Sequence, residues 1–197
     1  MNIKIIKNSY FQVNTYILEY NDKTFVIDPG NNNNDIIKRL NNKKIDCILL
    51  TLGHMDHIFG VKYLQKIYNC KVFASIKDLN YINGTYILDP FFNKDNYNFN
   101  FYDYSEFIYD DFEIIYTPGH SKGSVCIHLK KEQILFSGDT LFKGSFGRFD
   151  FIEGNLKELK NSINLLFSLN DDTIIYPGHG DFTKIKYEKI QNIIKFY

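Results

Sequence analysis

Four short apolar runs, each closed by a turn that carries histidine or aspartate, constrain this chain more than any other feature. Ile45 to Leu50 leads into Thr51-Leu52-Gly53-His54-Met55-Asp56-His57, and Glu113 to Tyr116 leads into Thr117-Pro118-Gly119-His120. Gln133 to Phe136 is followed by Ser137-Gly138-Asp139, and Thr173 to Tyr176 by Pro177-Gly178-His179. Runs of this length, rich in β-branched and aromatic residues and closed by Pro-Gly or Ser-Gly, read as buried strands entering loops. Ligands in open α/β sheets gather outside the carboxyl ends of strands. Four such ends would bring His54, Asp56, His57, His120, Asp139 and His179 together from distant parts of the chain. Imidazole and carboxylate donors without thiolate suit zinc, with iron or manganese as alternatives. His128 differs: it sits mid-strand in Ser124-Val125-Cys126-Ile127-His128-Leu129 and reads as a hydrogen-bonded surface or core residue.

The remaining pattern sets the architecture. Strands are expected near 2–7, 14–20, 24–28, 45–51, 71–74, 112–117, 124–129, 133–137 and 173–176. Helices are expected near 35–41, 58–68, 155–168 and 184–196, the second beginning just after the metal motif. Each half of the chain thus runs strands first and a helix later, the pattern of two sheets packed face to face with helices outside. The 197 residues, 44% of them hydrophobic, suffice for one domain spanning 1–197. Twenty-three basic side chains balance 23 acidic ones, so the charge expected of a nucleic-acid binder is missing. The amino terminus has no long apolar stretch and no run approaches a membrane span, which predicts a cytoplasmic protein with neither a membrane nor a nucleic-acid partner. Cys47, Cys70 and Cys126 read as buried thiols. The aromatic segment from Tyr86 to Tyr109 reads mainly as packing, with a role as pocket wall the alternative. Asn31 to Asn34 reads as a loop into a helix start.

Taken together, Asn14-Thr15-Tyr16, Val26-Ile27-Asp28-Pro29-Gly30, the Thr51 to His57 motif, Thr117 to Ser124, Ser137-Gly138-Asp139-Thr140-Leu141-Phe142, Gly147-Arg148 and Tyr176-Pro177-Gly178-His179 resemble the metallo-β-lactamase superfamily. Within it, they are similar to the glyoxalase II-like (hydroxyacylglutathione hydrolase-like) branch. The resemblance implies a four-layer αββα sandwich of the α/β class with a two-metal site. It also implies a partition of ligands: His54 and His120 at the first metal, Asp56, His57 and His179 at the second, and Asp139 bridging both.

One position departs from the family pattern, which reads T-H-x-H-x-D-H: its first histidine is Leu52 here. The first site therefore keeps only His54, His120 and Asp139, while the second keeps every ligand. One or two zinc ions are expected, with the second site the better bound. One subclass of lactamases replaces the same histidine and works with a single metal in the second site. The chemistry this implies is metal-dependent hydrolysis of a small thioester or related ester, since bound water has its pKa lowered towards ~7. Asp56 would orient the hydroxide as well as bind metal, and Asp139 would hold the two metals at fixed spacing.

Arg148 is the remaining clue to the small-molecule substrate. Arg39 and Arg148 are the only arginines, and a guanidinium suits planar carboxylate recognition; a basic residue at the matching position in glyoxalase II-like enzymes contacts the glutathione carboxylate. Pairing of Arg148 with Asp150 is the competing expectation. The chain ends soon after His179, without the carboxy-terminal helical region of full glyoxalase II, so a different thiol carrier is expected. Two other functions share these residues. A persulfide dioxygenase-type oxidoreductase would use one iron in the first site, which Leu52 weakens, and a catalytically impaired binding protein would have Leu52 as its mark.

Overall fold

Two almost continuously buried strands and a half-buried edge strand begin the first sheet in the computed structural model, which describes residues 1–7, 11–30, 33–86 and 99–196. β1 (Asn2–Lys7), β2 (Asn14–Tyr20) and β3 (Lys23–Ile27) form an antiparallel meander. The β2–β3 turn holds Asn21 and Asp22 at φ 47° and 58°, the left-handed pair that lets a two-residue loop match strand twist. β4 (Cys47–Leu49), β5 (Lys71–Ala74) and β6 (Tyr102–Asp103) then add in parallel, giving the order β1-β2-β3-β4-β5-β6. The crossovers hold α1 (Asn33–Leu40), α2 (Met55–Ile58), α3 (Val61–Tyr68) and α4 (Leu79–Ile82). Ile36 and Leu40 of α1 and Val61 and Leu64 of α3 bury against Ile17, Val26, Ile48 and Val72. Truncating one such side chain to alanine costs about 2–5 kcal/mol. This unit spans Met1–Phe107.

The second unit, Ile108–Tyr197, again begins with an antiparallel meander: β7 (Phe112–Tyr116), β8 (Val125–Leu129) and β9 (Ile134–Gly138). A hairpin of β10 (Leu141–Phe142) and β11 (Ser145–Phe146) follows. α5 (Leu156–Leu166) returns the chain to β12 (Ile174–Pro177), parallel to β9, and β13 (Thr183–Lys184) closes the order β13-β12-β9-β8-β7 ahead of α6 (Ile185–Gln191). α5 starts where the Asn155 side chain accepts from the Glu158 amide at 3.1 Å, a side-chain N-cap. It buries Leu159, Ser162, Ile163 and Leu166, the i, i+3, i+4, i+7 stripe of a helix on a core.

Two helix expectations need correction. The helix expected near 58–68 begins earlier, at Met55, because the His54 carbonyl accepts from the amides of His57 and Ile58. Asp56 and His57 are therefore helical, not loop residues. The helix breaks at Phe59-Gly60, where the Gly60 amide donates to Pro29 at 2.7 Å. The helix expected to run from 184 to 196 stops at Gln191, and Ile193–Phe196 is a 3-10 turn. Asn192 causes the stop: its side-chain amide donates to the carbonyls of Phe142 and Ser145 and to Glu188, and its Oδ1 accepts from the Ile194 amide. Glu188, fully buried, also accepts from the Gly144 amide and the Thr183 hydroxyl, so α6 is tied to the β10–β11 hairpin and to β13.

Phe99, Phe101, Tyr104 and Phe107 pack as expected, with the Tyr104 hydroxyl donating to the Leu50 carbonyl at 2.9 Å, while Tyr102 is exposed. Phe91, Phe92 and Tyr97, like Asn31 and Asn32, lie outside the described residues. The three cysteines are free and buried; burial pushes the Cys70 thiol up to about 11 and the Cys126 thiol up to about 12. No helix among the described residues is long and apolar enough to cross a membrane.

Candidate metal centre

In the Met1–Phe107 unit, the ligand candidates His54, Asp56 and His57 follow β4, and Asp28 follows its neighbour β3. Asp28 is buried, with φ 48°, a left-handed backbone that aspartate tolerates better than most residues. Its carboxylate accepts from the Thr51 amide at 2.8 Å and from the Thr51 hydroxyl, and it meets His57 Nδ1 at 2.9 Å. A carboxylate facing a ring nitrogen at that distance puts the proton on Nδ1 and leaves the Nε2 lone pair for coordination. That Nε2 lies 3.7 Å from Asp56 Oδ2. Gly30 makes the arrangement compact: a Cβ there would stand 1.4 Å from the Asp56 carbonyl oxygen, so no other residue lets the β3 loop reach α2 as closely.

His54 is buried with its ring edge-on to Tyr81 at 4.5 Å. The turn before it is held by Asp78, a buried carboxylate that accepts from the Gly53 amide at 2.8 Å. Leu52 is 2% exposed. An aliphatic side chain there leaves no polar group to satisfy, so the motif keeps its backbone course without a histidine at this position.

In the Ile108–Tyr197 unit, Asp139 follows β9 while His120 and His179 follow β7 and β12. Asp139 Oδ2 lies 3.4 Å from His120 Nε2 and 3.5 Å from His179 Nε2. Donors bound about 2.0–2.2 Å from one tetrahedral ion stand roughly 3.3–3.6 Å apart. Asp139 Oδ2 therefore stands at donor-to-donor spacing from each of the two histidines. His120 Nδ1 sits 2.7 Å from the Arg148 carbonyl oxygen; a carbonyl only accepts, so Nδ1 carries the proton and Nε2 faces Asp139. Phe151 lies edge-on to His120 at 5.7 Å, and Phe142 edge-on to His179 at 6.1 Å.

The Arg148 guanidinium does what the competing expectation held. Its Nε and Nη2 chelate Asp150 at 2.9 and 3.0 Å, and it lies over Phe151 at 4.2 Å. Each partner shifts the other, Asp150 raising the guanidinium pKa and Arg148 lowering that of the carboxyl. Both are exposed, and Nη1 points away from the chelate. His128 pairs with Glu113 at 2.9 Å, a structural pairing remote in role from the ligand set.

The sequence marks each of these candidate donors but not the groups that aim them. Asp28 carried a usable signal, since it ends an apolar strand before Pro-Gly much as Asp139 ends one after Ser-Gly. The Arg148 carbonyl and Asp78 carried none, because a backbone acceptor in coil and a lone surface-like acid have no pattern. A donor set of histidine Nε2 atoms and carboxylates, with each pinned imidazole held through Nδ1, fits a divalent metal ion.

Comparison with known proteins agrees with this chemistry. A family model described as the metallo-beta-lactamase superfamily matches residues 9–179. Hydroxyacylglutathione hydrolase GloC of Haemophilus influenzae is 30% identical, over 98% of this chain and 97% of that protein. Among solved structures, TTHA1623 in a di-iron-bound form is similar with TM-score 0.86 at 28% identity, covering 96% of this chain and 98% of that one. BLEG-1 B3 metallo-beta-lactamase is similar with TM-score 0.80 at 30% identity, covering 98% and 99%. The mixed sheets with their helices are thus the α/β fold of that type, as expected from the sequence. On the match over residues 9–179 and the relatives that span nearly its whole length, the chain belongs to the metallo-beta-lactamase superfamily.

Proposed function

We propose that this protein is a metal-dependent hydrolase acting on a small thioester or related ester, of the hydroxyacylglutathione hydrolase kind. The observation that carries the reading is Asp139 Oδ2 at 3.4 and 3.5 Å from two histidine Nε2 atoms. The reading assigns Asp56, His57, His179 and Asp139 to the better bound ion, and His54, His120 and Asp139 to a weaker one that Leu52 leaves short of a donor. Zinc is the leading candidate, with iron the alternative that the di-iron form of TTHA1623 supports. Held by these residues, a divalent ion would supply Lewis-acid chemistry, lowering the pKa of a water and polarising a carbonyl. The chain's own residues do the rest. Asp28 keeps the His57 proton on Nδ1, and the Arg148 carbonyl does the same for His120. Asp56 offers a carboxylate oxygen to hydrogen-bond and orient the attacking water. Thioesters suit such a site because the thiolate leaves without prior protonation, so no general acid is required. Arg148 presents Nη1 to an anionic group on the substrate. Three buried free thiols suit a reducing, cytoplasmic setting.

The test is metal analysis of the purified protein combined with a panel of thioesters and oxygen esters, assayed before and after chelation. Hydrolysis that disappears with the metal and returns with zinc supports the reading. Sulfite production from a persulfide by an iron-loaded protein overturns it in favour of an oxidoreductase, and full metal occupancy with no turnover of any ester overturns it in favour of a binding protein.

A further inference from the structure

We propose that Arg148, Asp150 and Phe151 form a clasp whose function is to aim His120, making Arg148 a positioning residue that acts through its own carbonyl oxygen. The inference rests on the reading of His120 as a metal ligand and goes beyond it by naming what fixes that ligand's tautomer and direction.

No regular secondary structure holds the Arg148 carbonyl. Residues 147–150 belong to neither helix nor strand, so no backbone ladder orients this group. Yet the carbonyl makes a 2.7 Å bond to a nearly buried imidazole, and a swing of the peptide plane would remove it. Three contacts hold the segment. Gly147 lies against the Asp139 backbone, where a Cβ would stand 1.8 Å from the Asp139 carbonyl oxygen and 3.0 Å from His120 Nδ1. Ahead of it, the guanidinium reaches two residues forward to chelate Asp150 through Nε and Nη2, closing the 148–150 backbone into a ring. The same guanidinium stacks on Phe151, and Phe151 stands edge-on to His120, interplanar angle 85°. Gly154 completes the turn by donating its amide to the Phe151 carbonyl at 2.9 Å. The chain thus passes His120 twice, once with a carbonyl and once with a ring, and one side chain joins the two passes.

Exposure separates this role from a stabilising one. The Arg148 and Asp150 side chains are 65% and 60% exposed, and ion pairs so open to water contribute little to global stability. A bidentate, planar pair nevertheless restricts local geometry in a way that lysine, with a single rotatable ammonium, does not. The clasp should therefore be nearly silent in unfolding and visible at the imidazole.

The experiment uses the full chain with Arg148→Ala, Arg148→Lys, Asp150→Asn and, as reference, His120→Ala. Two readouts apply: long-range nitrogen NMR of the imidazoles in metal-stripped protein, and zinc affinity by competition with a chromophoric chelator. In the wild type His120 should report a single tautomer with the proton on Nδ1. Arg148→Ala and Asp150→Asn should each yield a mixture of tautomers and weaken zinc binding about 10-fold, the low end of the range for partners that orient metal-bound histidines. Arg148→Lys should fall between wild type and alanine, and the Arg148→Ala, Asp150→Asn double variant should be no worse than either single change. Melting temperatures should stay close to the wild-type value. A wild-type tautomer and wild-type zinc affinity in both Asp150→Asn and Arg148→Ala would overturn the clasp. Unaltered zinc affinity in His120→Ala would overturn instead the assignment of His120 as a ligand, while a tautomer shift in Asp150→Asn would still support the clasp. A role of Arg148 in substrate binding alone predicts the opposite for Asp150→Asn: freeing the guanidinium would lower KM for a carboxylate-bearing thioester and leave zinc affinity unchanged.

Discussion

His57 and His120 solve one problem by two means. In the proposed site both would keep a proton on Nδ1 so that Nε2 is free to coordinate. His57 is held by Asp28, a buried carboxylate that also accepts two bonds from Thr51. His120 is held by the neutral carbonyl of Arg148, in an irregular segment secured by exposed groups. A buried charge with several donors is part of the fold as well as of the site, whereas an exposed chelate can be altered without disturbing the core. A ligand's outer partner therefore need not be a stability element, and the difference between the two is measurable.

The largest expected effect sharpens that contrast. Asp28→Ala leaves the Thr51 amide and hydroxyl and the His57 Nδ1–H without their acceptor, and each buried donor so stranded costs about 1–3 kcal/mol. Chemical unfolding should show a loss of roughly 3 kcal/mol or more, together with loss of metal. A stability loss as small as that of Arg148→Ala would break the contrast. Next in size, His179→Ala and Asp56→Ala should each remove the better bound ion while the fold persists, since neither side chain is fully buried; normal metal content in either variant would remove that residue from the ligand set.

How far these features were legible in the sequence depends on their length and their chemistry. The long strands and the ligand-bearing strand ends stand out, because four or five apolar residues followed by glycine and a donor form a pattern. β10, β11 and β13 have two residues each, too few for any period to show. The start of α2 inside the metal motif was hidden because its first turn is made by backbone bonds to the His54 carbonyl, which no side chain signals. The stop at Asn192 was hidden for a different reason: its partners Phe142 and Ser145 lie far back in sequence. Arg148 was legible as a rare guanidinium, but its most consequential atom is a carbonyl oxygen that every residue type possesses.

Leu52→His adds a donor to the weaker ion's set of His54, His120 and Asp139, and its effect should be smaller and of opposite sign. Metal content should rise from about one to about two ions per chain, measured by elemental analysis after dialysis against zinc. Ester hydrolysis should rise with it if the attacking water normally lies between two ions. Unchanged stoichiometry would mean that His54, His120 and Asp139 already fill the first site.

The smallest effect concerns an ion-pair cluster away from the site. Lys4 and Lys43 hold the Glu19 carboxyl down to about 2 from an ordinary 4.5. A depressed carboxylate contributes stability that is complete above its unfolded pKa and is lost as pH falls from about 4.5 towards 2. With solvent screening the loss should be on the order of 1 kcal/mol. Glu19→Gln should flatten that part of the stability profile, and an identical acid transition in the variant would show that the pair contributes nothing. It serves as the measure of what a part-exposed charge contributes beside the buried Asp28.

The most direct test of the account is the metal content of the wild type against Asp139→Ala, because Asp139 Oδ2 is the oxygen to which both His120 and His179 turn. The account predicts at least one divalent ion per chain in the wild type and almost none in the variant. A variant that holds as much metal as the wild type, or a wild type that binds none of zinc, iron and manganese, would contradict it.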